Sequence, residues 1–136
     1  MLIDQVSVFV ENQAGRLADV TELLADAGVD ILALSIADTT DFGILRIVVD
    51  DTDKAVSVLR EHNRIVKVTK VLAVRLDNKP GIFAKIVRLL ADNDIGIEYT
   101  YAYAAGHGAD TAGLVLRVGD NEKATELLKN AERIDM

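Results

Sequence analysis

The sequence predicts an α+β fold of two βαββαβ units set side by side, each an antiparallel sheet with both helices on one face. Three observations predict it. Asn12-Gln13-Ala14-Gly15-Arg16-Leu17 returns 66 residues later as Asn78-Lys79-Pro80-Gly81-Ile82-Phe83, and Leu23-Leu24-Ala25-Asp26 returns at the same offset as Leu89-Leu90-Ala91-Asp92. Between residues 12–37 and 78–103, eight of 26 positions are identical, which implies duplicated architecture. In both copies the apolar period also changes from two to about 3.6 and back in the same order. Finally, the repeat divides 136 residues into units 1–69 and 70–136, each small enough to be only marginally stable alone.

The elements follow in order. Val6, Val8 and Val10 alternate in the first copy, and Leu72, Val74 and Leu76 in the second, as one face of a half-buried strand. After the Asn-x-x-Gly turn, Leu17, Val20, Leu23 and Leu24 fall at helical spacing, as do Phe83, Ile86, Leu89 and Leu90. Gly28 can close the first helix in a left-handed cap. A second strand covers 30–37 or 97–103. A third carries Leu45, Ile47 and Val49, matched by Leu114, Leu116 and Val118, behind a hairpin loop three residues longer in the second copy. A second helix begins near Asp53 or Glu122, its acids favouring the positive helix start. Residues 65–68 supply a fourth strand to the first unit, whereas the chain after Arg133 leaves little room for one in the second. Either the second sheet is a strand short, or one long strand over 65–76 serves both sheets.

Composition narrows the function classes. The sequence has no cysteine, which excludes disulfides, thiolate metal sites and cysteine nucleophiles. Up to Val68 there are 12 acids and 6 bases, and from Thr69 onward 10 acids and 9 bases, so neither half offers a cationic face to nucleic acid. No apolar stretch reaches the roughly 18 residues of a membrane span, and no leader pattern opens the chain. The expectation is a soluble, cytoplasmic protein that engages neither membrane nor nucleic acid.

At Asn-x-x-Gly-x-Leu/Phe, followed by the amphipathic helix and then by Ala27-Gly28-Val29-Asp30-Ile31 or Asp94-Ile95-Gly96-Ile97, the chain resembles the ACT domain family. Those are small regulatory modules with a ferredoxin-like βαββαβ order, and two in tandem would span essentially the whole chain. The resemblance implies binding of a free amino acid at the seam between modules. One pocket would use Asn78, Lys79, Pro80, Gly81, Ile82 and Phe83, with Asp30 facing them. The other would use Asn12, Gln13, Ala14, Gly15, Arg16 and Leu17 with Gly96, and the two sites would be unequal.

The residues support the same chemistry by themselves. Gly15 and Gly81 allow a sharp turn and a close approach of backbone to ligand, and free N–H groups at the following helix start suit a carboxylate. An ammonium would find acceptors at Asp30 or the turn carbonyls, and Asn12 and Asn78 can donate and accept. Against this stands a simpler reading, in which each glycine only permits a turn and each asparagine only caps a helix. Tyr99, Tyr101 and Tyr103 share one strand face and would either wall a pocket or pack between units. Asp41 and Phe42 crowd a hairpin beside the seam, where turn formation alone would also place such residues. Asp50, Asp51 and Asp53 lack the pattern of a calcium loop and read as helix caps. His62 and His107 stand apart from any serine-acid or metal-ligand pattern.

The expected function is therefore non-catalytic: an amino-acid sensor, with no cofactor and no metal, acting on an enzyme or other protein partner or on its own assembly. Two open sheet edges and an uncovered sheet face predict a homodimer. The alternatives are an interaction module without ligand and, less favoured, a small enzyme using Asp30, Asp41 or His107.

Overall fold

The computed structural model describes residues 1–38, 41–103, 110–131 and 134–135, and has the α+β architecture expected. Along the chain run β1 (Leu2–Glu11), α1 (Arg16–Asp26), β2 (Ile31–Asp38), β3 (Phe42–Val49), α2 (Thr52–Glu61) and β4 (Val66–Asp77). They are followed by α3 (Ile82–Asp92), β5 (Ile97–Tyr103), β6 (Thr111–Val118), α4 (Asn121–Lys129) and the two-residue β7 (Ile134–Asp135). The chain forms two compact units, one of Asp4–Thr69 and the other of Lys70–Met136 together with Met1–Ile3.

In the first unit β3 lies between β2 and β1 and is antiparallel to both, with Val8 opposite Leu45 and Leu45 opposite Ile36. Val6, Val8, Val10, Leu45, Ile47 and Val49 pack with Val20 and Leu24 of α1 and Ala55 and Leu59 of α2. These helices form because their apolar positions recur on one stripe that this sheet face covers. Gly28 takes φ +73° after α1, as the sequence suggests, and its N–H donates to the Ala25 carbonyl at 3.0 Å. At the corresponding place after α3, Asp94 adopts φ +58° without glycine's freedom.

In the second unit β6 lies between β4 and β5, with Val74 opposite Leu114 and Leu114 opposite Ala102. Leu72, Val74, Leu76, Leu116 and Val118 pack with Ile86 and Leu90 of α3 and Ala124 and Leu128 of α4. The question of its fourth strand is answered by two features. The strand β4 is continuous over 12 residues, with Val66–Thr69 counted in the first unit and Lys70–Asp77 in the second. The strand β7 then pairs with Arg75 and Leu76, while the Ala73 N–H donates to the Met1 carbonyl at 2.8 Å. The first three residues, counted with 1–69 in the sequence reading, thus accompany the second unit.

Gln5 is the one buried polar side chain among the described residues, and its Nε2 donates to Ser7 Oγ at 3.5 Å. The alternation of valines in β1 gives no sign of it.

Candidate functional site

The turn after β1 is built almost entirely by backbone. The Gln13 N–H donates to the Glu11 carbonyl at 2.8 Å and the Arg16 N–H to the Gln13 carbonyl at 3.2 Å. Gly15 follows at φ +88° and ψ −16°, and the Asp19 N–H then donates to the Gly15 carbonyl at 2.9 Å, opening α1. The second unit repeats each step. Lys79 bonds Asp77 at 2.9 Å, Ile82 bonds Lys79 at 3.3 Å, Lys85 bonds Gly81 at 3.1 Å, and Gly81 has φ +90°.

Neither α1 nor α3 has a side-chain cap. The reading of Asn12 and Asn78 as helix caps is therefore overturned: the capping position is a left-handed glycine three residues later, which has no side chain to offer. The N–H groups of Leu17 and Ala18, and of Phe83 and Ala84, precede any intrahelical acceptor. By contrast, Asp51 and Asp120 cap α2 and α4, accepting from the Lys54 and Lys123 N–H groups at 3.1 and 3.0 Å. That accounts for Asp51 as the sequence suggested, and Asp50 accepts from the Asp30 N–H at 2.9 Å.

The hairpins meet the turns through backbone. The Asn12 N–H donates to the Asp41 carbonyl at 3.1 Å, and Asn78 to Asp110 at 2.9 Å. In the first unit this junction borders a half-open cavity of about 300 Å³ lined by Val10, Glu11, Asn12, Gln13, Leu17, Ile36 and Gly43. Asn12, Gln13 and Leu17 were legible in the motif. Val10, Glu11, Ile36 and Gly43 were not, since only strand register brings Val10 opposite Gly43. Arg16 reaches back to Glu11, with Nε 3.3 Å from its carboxylate, and forward to Asp19 at 3.7 Å.

Other residues singled out from sequence lie elsewhere. Asp30 is exposed just before β2. In its own unit it stands at the opposite end of β2 from the Asn12 turn, because β1 and β2 run the same way beside β3. Phe42 pairs with Glu11 and shares the helix-free face with Ile44 and Phe9, while Asp41 meets the turn through its carbonyl. Ile82 is buried in the second core, whereas Lys79, Pro80 and Phe83 are exposed. Tyr99, Tyr101 and Tyr103 pair with Arg117, Val115 and Gly113, on the face away from α3 and α4. The Tyr103 ring occupies the space that a Cβ on Gly113 would need. His62 sits at the end of α2 with Nδ1 2.9 Å from the Val58 carbonyl, and His107 lies outside the described residues. Among the described residues no three His, Asp or Glu side chains converge as metal ligands would, and no helix is long and apolar enough to cross a membrane.

Two βαββαβ units, each with an uncapped helix start behind a left-handed glycine, define a paired module of the ferredoxin-like type. The chain matches the family model of the ACT domain pair over residues 1–135 and belongs to that family. Its fold is similar to that of protein BT0572 from Bacteroides thetaiotaomicron, with a TM-score of 0.91 and 38% identity over 99% of this chain and 91% of that one. It is also similar to the ligand-free regulatory subunit of aspartate kinase from Thermus thermophilus, with a TM-score of 0.67 and 15% identity over 97% of this chain and 95% of that one. The corresponding subunit from Thermus flavus gives 0.66 and 16% over 95% and 92%. No curated protein matches the chain.

Proposed function

We propose that this protein is a non-catalytic regulatory module that binds a free amino acid where β1 turns into α1, and where β4 turns into α3, and passes occupancy to a partner or to its own assembly. The observation that carries the reading is the uncapped start of α1 and α3, whereas α2 and α4 are capped by aspartates. Helix starts with unsatisfied N–H groups and a positive dipole favour a carboxylate. In the first unit the Leu17 and Ala18 N–H groups receive the carboxylate of the ligand, and the carbonyls of the turn receive its ammonium. Asn12, Gln13, Ala14, Gly15, Arg16 and Asp41 frame this site. Asn78, Lys79, Pro80, Gly81 and Phe83 frame its counterpart.

Membership of the ACT domain pair family supports a regulatory role. The shared fold with a regulatory subunit of aspartate kinase makes an enzyme the natural kind of partner to test. Phe9 and Phe42, 45% and 51% exposed on the helix-free face of the first unit, favour self-association as a second output. Sedimentation of the full chain with and without ligand reads that output directly.

The test of binding is thermal unfolding of the full chain alone and with each of the twenty amino acids at millimolar concentration. A site filled at 100 times its dissociation constant adds about 2.7 kcal/mol, a clear rise in midpoint. Stabilisation by one or a few chemically related amino acids, reduced by Asn12→Ala, is the expected result. Twenty unchanged midpoints would leave the turns as structural elements of an interaction module.

A further inference from the structure

We propose that the cavity of the first unit accepts the side chain of an aliphatic amino acid, its size set by Leu17, Ile36 and Gly43; this rests on the ligand class proposed above. Its apolar lining is Val10, Leu17 and Ile36, and its polar lining comes from three consecutive residues, Glu11 at the end of β1 and Asn12 and Gln13 in the turn that follows. Asn12 and Gln13 lie in the turn that leads into the helix start, where the charged ends of an amino acid belong. The side chains of Val10, Leu17 and Ile36 offer hydrocarbon to what projects beyond. A volume of about 300 Å³ is at the small end for a ligand site, which suits one amino acid.

Charge argues the same way. Glu11 is the one charged residue among the described residues of the lining, and the Arg16 guanidinium holds its carboxylate at 3.3 Å. A ligand carboxylate or ammonium driven against Val10 and Ile36 would lose water without gaining a partner. Leu17 and Ile36 are 41% and 49% exposed, apolar surface that an aliphatic side chain would cover.

Gly43 lines the cavity without a side chain. A Cβ there would stand 3.4 Å from Ile36 Cδ1, in ordinary contact, so alanine can be accommodated but takes up space beside Ile36. Strand register makes Ala112 the counterpart of Gly43, because Val10 faces Gly43 as Leu76 faces Ala112. The fold therefore accepts alanine at this point. The other size-setting positions also differ in the second unit, where the 66-residue offset puts Phe83 for Leu17 and Ala102 for Ile36.

The experiment is isothermal titration of the full chain with L-valine, L-leucine, L-isoleucine and L-methionine against glycine, L-serine, L-aspartate and L-lysine. An aliphatic amino acid should bind at least about tenfold tighter than glycine, the discrimination expected of added methylenes in an apolar pocket. Ile36→Ala and Gly43→Ala should each reduce that affinity while leaving a cooperative unfolding transition. Tightest binding of a charged or polar amino acid, or aliphatic binding unchanged by both substitutions, would overturn the side-chain assignment while leaving amino-acid binding intact. Absence of heat with all eight ligands, together with unchanged midpoints for all twenty amino acids, would remove the ligand reading and this inference with it.

Discussion

The Asn12 N–H donates to the Asp41 carbonyl at 3.1 Å, and this one backbone bond ties the turn before α1 to the hairpin between β2 and β3. The Asn78 N–H makes the equivalent bond to Asp110 at 2.9 Å, although the second hairpin is three residues longer. A bond kept across that insertion places the turn by main-chain geometry, and leaves the Asn12 side chain free of a capping duty.

Asn12→Ala should therefore change stability by no more than about 0.5 kcal/mol, as for an exposed side chain without a structural bond. Asp51→Ala and Asp120→Ala, which remove real caps, should each cost about 1 kcal/mol. Urea unfolding of the three variants measures the contrast. Equal losses would show that the asparagine side chain does hold the helix start.

Gly15→Ala and Gly81→Ala should each cost about 1–2 kcal/mol, the penalty of a Cβ in the left-handed region. A Cβ at either position meets no atom within 4 Å, so the cost comes from the backbone and not from a clash. Gly119→Ala is the control, with equally open space but no left-handed φ, and should have little effect on the unfolding midpoint.

Asp94→Gly should stabilise the second unit by about 0.5–1 kcal/mol, since Asp94 holds φ +58° where Gly28 serves in the first unit. Gly28→Ala should destabilise by a similar amount. Denaturant midpoints for the pair settle the sign of each.

Gly113→Ala should cost about 1–3 kcal/mol, because the added methyl forces the Tyr103 ring from its place over the strand. Most of that loss should vanish in a Tyr103→Ala background, since the two residues interact directly. Additive effects in the double-mutant cycle would mean that the ring does not pack there.

Core truncation should respect the repeat. Leu24→Ala and Leu90→Ala remove equivalent, fully buried side chains and should each cost about 2–5 kcal/mol by denaturant unfolding.

The elements were legible because their causes are local. Apolar periods of two and 3.6 distinguish β1 from α1, and the sequence reading of β5 as 97–103 agrees with Ile97–Tyr103 in the structure. The motif Asn-x-x-Gly gave the position of each turn, but the simpler reading of its asparagine as a cap fails, because a cap is recognised by residue type while the true capping residue is set by where φ turns positive. For Asp30, sequence gives the place just before a strand, and the structure adds that water reaches it.

By itself the sequence determined the duplication, the order of strands and helices and the apolar face of each, all consequences of periodicity within a dozen residues. The tertiary structure decided what depends on partners distant along the chain. It joined Val66–Asp77 into one strand counted in both units, placed Met1–Ile3 with the second, and formed a cavity by bringing Ile36 and Gly43 to the Asn12 turn. It also set Tyr99, Tyr101 and Tyr103 on the helix-free face, through their pairing with β6. Such features rest on strand register, in which a shift of one residue exchanges the two faces of a sheet.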